Sequence, residues 1–285
     1  MREITWMDNP QANVVCPCDV LFGLTRHPTD DGNRWTELRP GPAAHGDDGL
    51  PAPGLLFLLA DTVVGGPCVR IVEPNEVIVT SSLHIELYSR PFDGHPMVAG
   101  LGGLTTRYHG GATSASTVAS GDVPVAAVSG RFAVLPNDMR AAGAIGDLEP
   151  HPVPFDFDRF TGPVLDTLGA RIVDRDRDRL SMTFLARPEL ANERLGLHGG
   201  CAALMGERAC HDLMQSVAAE GYELRTATMN AVFFRHIPAD DGELTCVATV
   251  QHAGRQLVAA QATLYTQGGK PAVVVDVMAG GVATR

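Results

Sequence analysis

The stretch NERLGLHGGCAALMGERACHD, residues 192–212, places Asn192, His198, Gly199 and Gly200 ahead of an apolar segment whose lone carboxylate is Glu207. A glycine in the first turn of a helix offers a backbone N–H that no carbonyl of the helix accepts. It sits at the positive end of the helix dipole, and without a side chain it lets a carbonyl come close. A carboxylate nearby supplies a base or a nucleophile. Glu207 cannot serve its own glycine, because eight residues along one helix span about 12 Å. The geometry calls for an acid from an antiparallel neighbouring helix.

That neighbour is found by laying the two halves of the chain over each other. The first half holds PAPGLLFLLADTVVGGP (51–67) and then EVIVTSSLHIELYSRP (76–91); the second holds LHGGCAALMGERACHDL (197–213) and then ELRTATMNAVFFRHIP (223–238). Each pair reads as a helix followed by a strand: an apolar run after a Gly-containing start, then alternating apolar and hydroxyl residues ending at a Pro. Glu207 minus Asp61 is 146, and Thr226 minus Thr80 is again 146. Each half goes on through two or three strand-like runs, so the expected class is α+β, each antiparallel sheet wrapping one long helix. The Pro- and Asp-rich stretch 136–163 reads as a linker, with boundaries expected at 1–140, 141–164 and 165–285. DRDRDR, residues 174–179, reads as a solvated hairpin edge.

The 285 residues are enough for one or two domains, and 45% hydrophobic with 19% charged residues suits a folded soluble chain. A formal net charge of -11 disfavours nucleic acid and anionic membrane surfaces as partners. The opening MREITWMDNP lacks a basic flank before an apolar core, and apolar runs such as GLLFLLA (54–60) are too short to span a bilayer, so a cytoplasmic location is expected. The six cysteines are dispersed and expected to be reduced; Cys16 and Cys18 stand together as CPC, without a second pair at zinc-finger spacing, and no metal site is expected. No Gly-rich phosphate loop is present, GGLTTRYHGG lacking the Lys and spacing of one.

The pattern of Asn192, His198, Gly199, Gly200 and Glu207 resembles the PaaI-type (4-hydroxybenzoyl-CoA thioesterase-like) hotdog-fold acyl-CoA thioesterases, and the likeness extends over both halves, roughly 30–135 and 165–285. It implies a tandem double hotdog, an intramolecular pseudo-dimer with active sites assembled across the pair. It also implies an acyl-CoA substrate, no cofactor, and a homodimer of four hotdogs. Thioester hydrolysis needs a donor for the developing oxyanion, a base or nucleophile, and a place for water.

Carried over residue by residue, the resemblance implies two unequal sites. Site one combines Asn192 and Gly199 with Asp61 at the acid position and Thr80 at the water-orienting hydroxyl. Site two combines Glu207 and Thr226 with Gly46, Ala52 and Pro53, the first-half counterparts of Asn192, His198 and Gly199. Proline has no N–H to donate, so site two is expected to be degenerate. His198 is expected to fix the start of the helix rather than to act as a base, and Glu207 beside Arg208 reads as a relic, as an acid serving a different pocket, or as a surface charge. Asn192 has the alternative of capping a turn. Gly200 adjoins the oxyanion donor, and Arg90, Arg194 and Arg235 are candidates for the phosphates of coenzyme A. A non-catalytic acyl-CoA-binding protein is the main rival reading. A hotdog hydratase lacks its Gly-Asp-x-Asn-Pro-x-His segment here.

Overall fold

The computed structural model describes residues 16–28, 34–46, 48–73, 75–92, 95–100, 103–136, 155–192 and 196–284. The expected linker therefore lies mostly outside the described residues, as does Arg194. Short helix α1 (Pro17–Phe22) is followed by β1 (Leu24–Pro28) and β2 (Arg34–Leu38), long helix α2 (Leu56–Arg70), and β3 (Glu76–Leu87), β4 (Met97–Gly100), β5 (Leu104–Tyr108), β6 (Gly111–Ser120) and β7 (Val123–Pro136). The second half repeats the order: α3 (Val164–Thr167), β8 (Arg171–Arg175), β9 (Arg179–Ala186), long helix α4 (Gly199–Ser216), then β10 (Tyr222–Phe233), β11 (Gly242–Ala253), β12 (Leu257–Tyr265) and β13 (Pro271–Ala283). Adding 146 carries Glu76–Leu87 end to end onto Tyr222–Phe233, and the 3-10 turn Pro42–Ala44 onto Pro188–Leu190.

The described strands form one antiparallel sheet in the order β1-β2-β4-β6-β7-β3-β10-β13-β12-β11-β9-β8, with β5 on β6. The halves join at β3 and β10, where His84 pairs with Asn230. Those two residues are also 146 apart, so a pseudo-twofold axis passes through the pair. Along both joining strands alternate residues face the core: Leu83 and Ile85 on β3, Met229 and Ala231 on β10. Helix α2 packs on β3, β6 and β7, helix α4 on β11, β12 and β13, and the two helices pack on each other.

Two sequence expectations need correction. The helix does not open each half, since a hairpin precedes it (β1–β2, β8–β9); these strands are short and lack clean alternation. DRDRDR does form the exposed turn of the second hairpin, with the Asp176 N–H donating to the Arg179 carbonyl. The apolar run is also longer than GLLFLLA: Pro53–Arg70 is an 18-residue helical stretch of mean hydropathy 1.2, long and apolar enough to cross a membrane by length and composition. Its burial inside the sheet, over 67% of its length, makes it a core helix.

Candidate active site

Small residues let the helices meet at close range. A side-chain carbon added to Gly200 would lie 2.7 Å from the Cα and N of Leu58; the symmetry-related Gly54 is equally filled, by Leu204 at 2.9 Å and by Glu207. This contact brings the acid of each half to the helix start of the other.

At the start of α4, His198 is the N-cap, its Nδ1 accepting the Gly200 N–H at 3.0 Å. That bond leaves the preceding Gly199 N–H, which finds no acceptor among the described residues. Asp61 Oδ2 would be 3.4 Å from a side-chain carbon on Gly199, so the carboxylate and the glycine face each other across the two halves. Thr80 Oγ1 donates to the other oxygen, Asp61 Oδ1, at 2.8 Å. The register of β3 against β7 slips between Thr80 and Ser82, a bulge of the kind that re-aims a side chain. The same slip recurs between Thr226 and Thr228 on β10. His198 Nδ1 lies 3.8 Å from Asp61 Oδ2, and the Asp61 side chain keeps 15% of its surface, enough for water to reach it. Because Nδ1 accepts from Gly200, the neutral ring carries its hydrogen on Nε2.

Asp61, Thr80, His198, Gly199 and Gly200 are therefore brought together. Asn192 holds its own turn, its carboxamide oxygen accepting the Gly196 N–H at 3.1 Å while its backbone N–H donates to the Gly196 carbonyl. Arg90 is misplaced for this site: it stands beside Glu223, at 3.9 Å, and the register of β3 on β10 puts that pair at the opposite end of the joining strands from Thr80. Arg235 follows β10 at the Asp61 end and donates to the Pro271 carbonyl. The site also uses residues that sequence reading passed over. Phe233, the last residue of β10, would lie 3.5 Å from a side-chain carbon on Gly199, and His236 covers Gly196 in the turn before the helix. Only their place at the end of the FFRHIP strand hinted at this.

The symmetry-related end is built differently. Pro53 stands where Gly199 stands and opens a 3-10 turn rather than a regular helix. Glu207 is fully buried, and Arg208 is only 7% exposed, so neither is the surface charge that the sequence allowed. Arg208 Nη1 is 3.8 Å from Glu207 Oε2, and no hydrogen bond of ordinary geometry reaches either carboxylate oxygen among the described residues. Burial pushes the Glu207 carboxyl above the usual range; the Arg208 charge and the Gly54 N–H, which faces the carboxylate without closing a proper bond, work the other way. Thr226 makes no bond to it. His211, one turn on, is driven down to about 3 by burial and by the Arg208 charge, with Asp48 opposing.

Residues 196–273 match the thioesterase superfamily. Among solved structures, the acyl-CoA thioesterase II TesB2 of Mycobacterium marinum is 16% identical at a TM-score of 0.61, covering 93% of this chain and 97% of that one. The tesB protein of Mycobacterium avium subsp. paratuberculosis is 13% identical at 0.60, covering 90% and 96%. A protein of unknown function with a hot dog fold from Alicyclobacillus acidocaldarius is 14% identical at 0.56, covering 95% and all of that chain. The fold is a double hotdog. No curated protein matches the sequence. In the double hotdog each long helix is wrapped by its half of the sheet, and the Asp61–Gly199 pair straddles the two hotdogs.

Proposed function

We propose that this double hotdog hydrolyses an acyl-CoA thioester at one composite site between its two domains. The observation that carries the reading is the Asp61 carboxylate, held by the Thr80 hydroxyl at 2.8 Å and facing the Gly199 helix start of the other domain. The likeness of the second half to the thioesterase superfamily supports the reaction class. The whole-chain likeness to acyl-CoA thioesterases supports the substrate class. The PaaI-type pattern of Asn192, His198, Gly199 and Gly200 supports the assignment of roles.

In this reading the thioester carbonyl oxygen docks on the Gly199 N–H, where its developing charge meets the helix dipole. His198 occupies the Gly200 N–H and orients the turn. Asn192 borders the same turn. Asp61, oriented by Thr80, takes a proton from water as the water oxygen attacks the carbonyl carbon, or attacks that carbon itself to form an anhydride that water opens. Either way the carbon–sulfur bond breaks and coenzyme A leaves as its thiol. Label found in the Asp61 carboxylate after single turnover in ¹⁸O-water identifies the anhydride route, since it requires water to open the anhydride at the Asp61 carbon. Pro53 denies the second site its oxyanion donor, a loss that typically costs about 2.7 to 4 kcal/mol. One working site per chain follows.

The test is thiol release across acyl-CoAs from acetyl to palmitoyl, with phenylacetyl and benzoyl included, on wild type and Asp61→Asn. The expected result is turnover on some member that falls at least about a hundredfold in the variant. Binding of acyl-CoA without turnover on any member would replace the hydrolase with a binding module.

A further inference from the structure

His198 has a second set of neighbours. One of its ring nitrogens and the sulfurs of Cys18 and Cys201 lie within 4.8 Å of one another, and His198 forms a second such trio with Cys16 and Asp19. All five residues are buried, none more than 5% exposed. Asp19 is already engaged, accepting the Cys16 N–H at 3.2 Å and facing Arg26 at 2.8 Å. Beside it stand three thiols and one imidazole. The two trios meet at His198, and the Cys18 thiol also donates to Asp19 Oδ1 at 3.8 Å, the acid of the second trio. The CPC pair sits at the start of α1 and Cys201 in the first turn of α4, so residues some 180 positions apart converge on one buried point.

We propose that Cys16, Cys18, Cys201 and His198 form a site for a thiophilic divalent cation, zinc by its donor set. Three sulfurs and one imidazole nitrogen are a common closed tetrahedral zinc shell. With Zn–S near 2.3 Å and Zn–N near 2.1 Å, neighbouring ligand atoms stand about 3.5–3.8 Å apart, so the Cys18–His198–Cys201 trio closes by a contraction of at most about 1.3 Å from its present limit, while Cys16, which shares a trio with His198 but not with both other thiols, moves in to complete the shell. Binding releases the three thiol protons to solvent as the sulfurs ligate as thiolates. Nδ1 of His198 already accepts the Gly200 N–H, so Nε2 is the nitrogen left for the cation. A neutral imidazole ligated through Nε2 carries its hydrogen on Nδ1. Gly200 then loses its acceptor, and the Nδ1–H turns toward Asp61 Oδ2, now 3.8 Å away. The site would cross-link α1 to the start of α4 and change the hydrogen bonding of the Asp61 carboxylate.

The experiment strips the full-length protein with a chelator and titrates it with Co²⁺, then with Zn²⁺. One equivalent of cobalt with a thiolate-to-cobalt charge-transfer band is expected. The band should be lost in Cys18→Ser and in Cys201→Ser and kept in Cys246→Ser, whose thiol lies elsewhere in the core. X-ray absorption at the zinc edge of the wild type needs no variant to fold, and is expected to give a shell of sulfur with one imidazole. A wild type that gives no charge-transfer band, a zinc shell of oxygen and nitrogen alone, or a band unchanged by both serine substitutions overturns the proposal. None of these readouts depends on acyl-CoA turnover, so this inference and the hydrolase reading fail separately.

Discussion

Glu207→Gln separates a buried relic from a second catalytic acid. The Glu207 side chain is wholly buried, with no proper hydrogen bond to either oxygen, and burial raises its pKa in the folded protein. The folded state therefore keeps this proton at pH values where the unfolded chain, titrating near about 4.3, has released it. The stabilisation is fully present below that value and is lost as pH rises toward the folded pKa. The rate of loss is at most about 1.4 kcal/mol per pH unit within that window. Arg208 at 3.8 Å reduces this by favouring the charged form. Glutamine has nearly the same shape and no proton to lose. Urea denaturation from about pH 5 to about pH 8 should therefore show the variant gaining on the wild type as pH rises, while acyl-CoA turnover stays within a few-fold. A stability difference that is flat with pH, or a turnover loss as large as that of Asp61→Asn, refutes the reasoning.

Thr80→Val removes the hydroxyl that holds Asp61 Oδ1 at 2.8 Å; a hydrogen bond to a charged group is worth about 1.5–3 kcal/mol, so kcat should fall about ten- to a hundredfold with the Tm little changed. Gly200→Ala should lower stability by about 1–3 kcal/mol in thermal or urea denaturation, because the added carbon meets Leu58 backbone at 2.7 Å and backbone cannot swing aside. His211, with a folded pKa depressed to about 3, should make the protein lose stability as pH falls from about 6.5 toward that value, since the unfolded chain takes up the proton first. His211→Gln should flatten that limb of the pH–stability curve.

Much of the fold was legible because a duplicated chain checks itself. A constant spacing of 146 between Asp61 and Glu207 and between Thr80 and Thr226 cannot survive unless both halves build the same elements, and the strands after each helix carry clear alternation of apolar residues. The hairpins β1–β2 and β8–β9 were not legible, being brief and partly irregular. Length also misled: α2 continues past its most apolar run through Gly65, Gly66 and Pro67 to Arg70, because packing rather than propensity sustains it.

The sequence by itself determined the residue types and spacing that allow a helix-start N–H and an acid to meet across two domains, and it determined that Pro53 breaks the symmetry by lacking a donor. Only the tertiary structure decided which acid is wet and which is dry. Asp61 and Glu207 occupy equivalent helix positions, yet one meets a threonine hydroxyl and some water while the other is fully buried facing Gly54. Solvation and hydrogen bonding depend on what the opposite domain packs against each carboxylate, and local spacing carries no record of that. The convergence of Cys16, Cys18, Cys201 and His198 was hidden for the same reason, since proximity between distant segments exists only once the sheet has wrapped its helices.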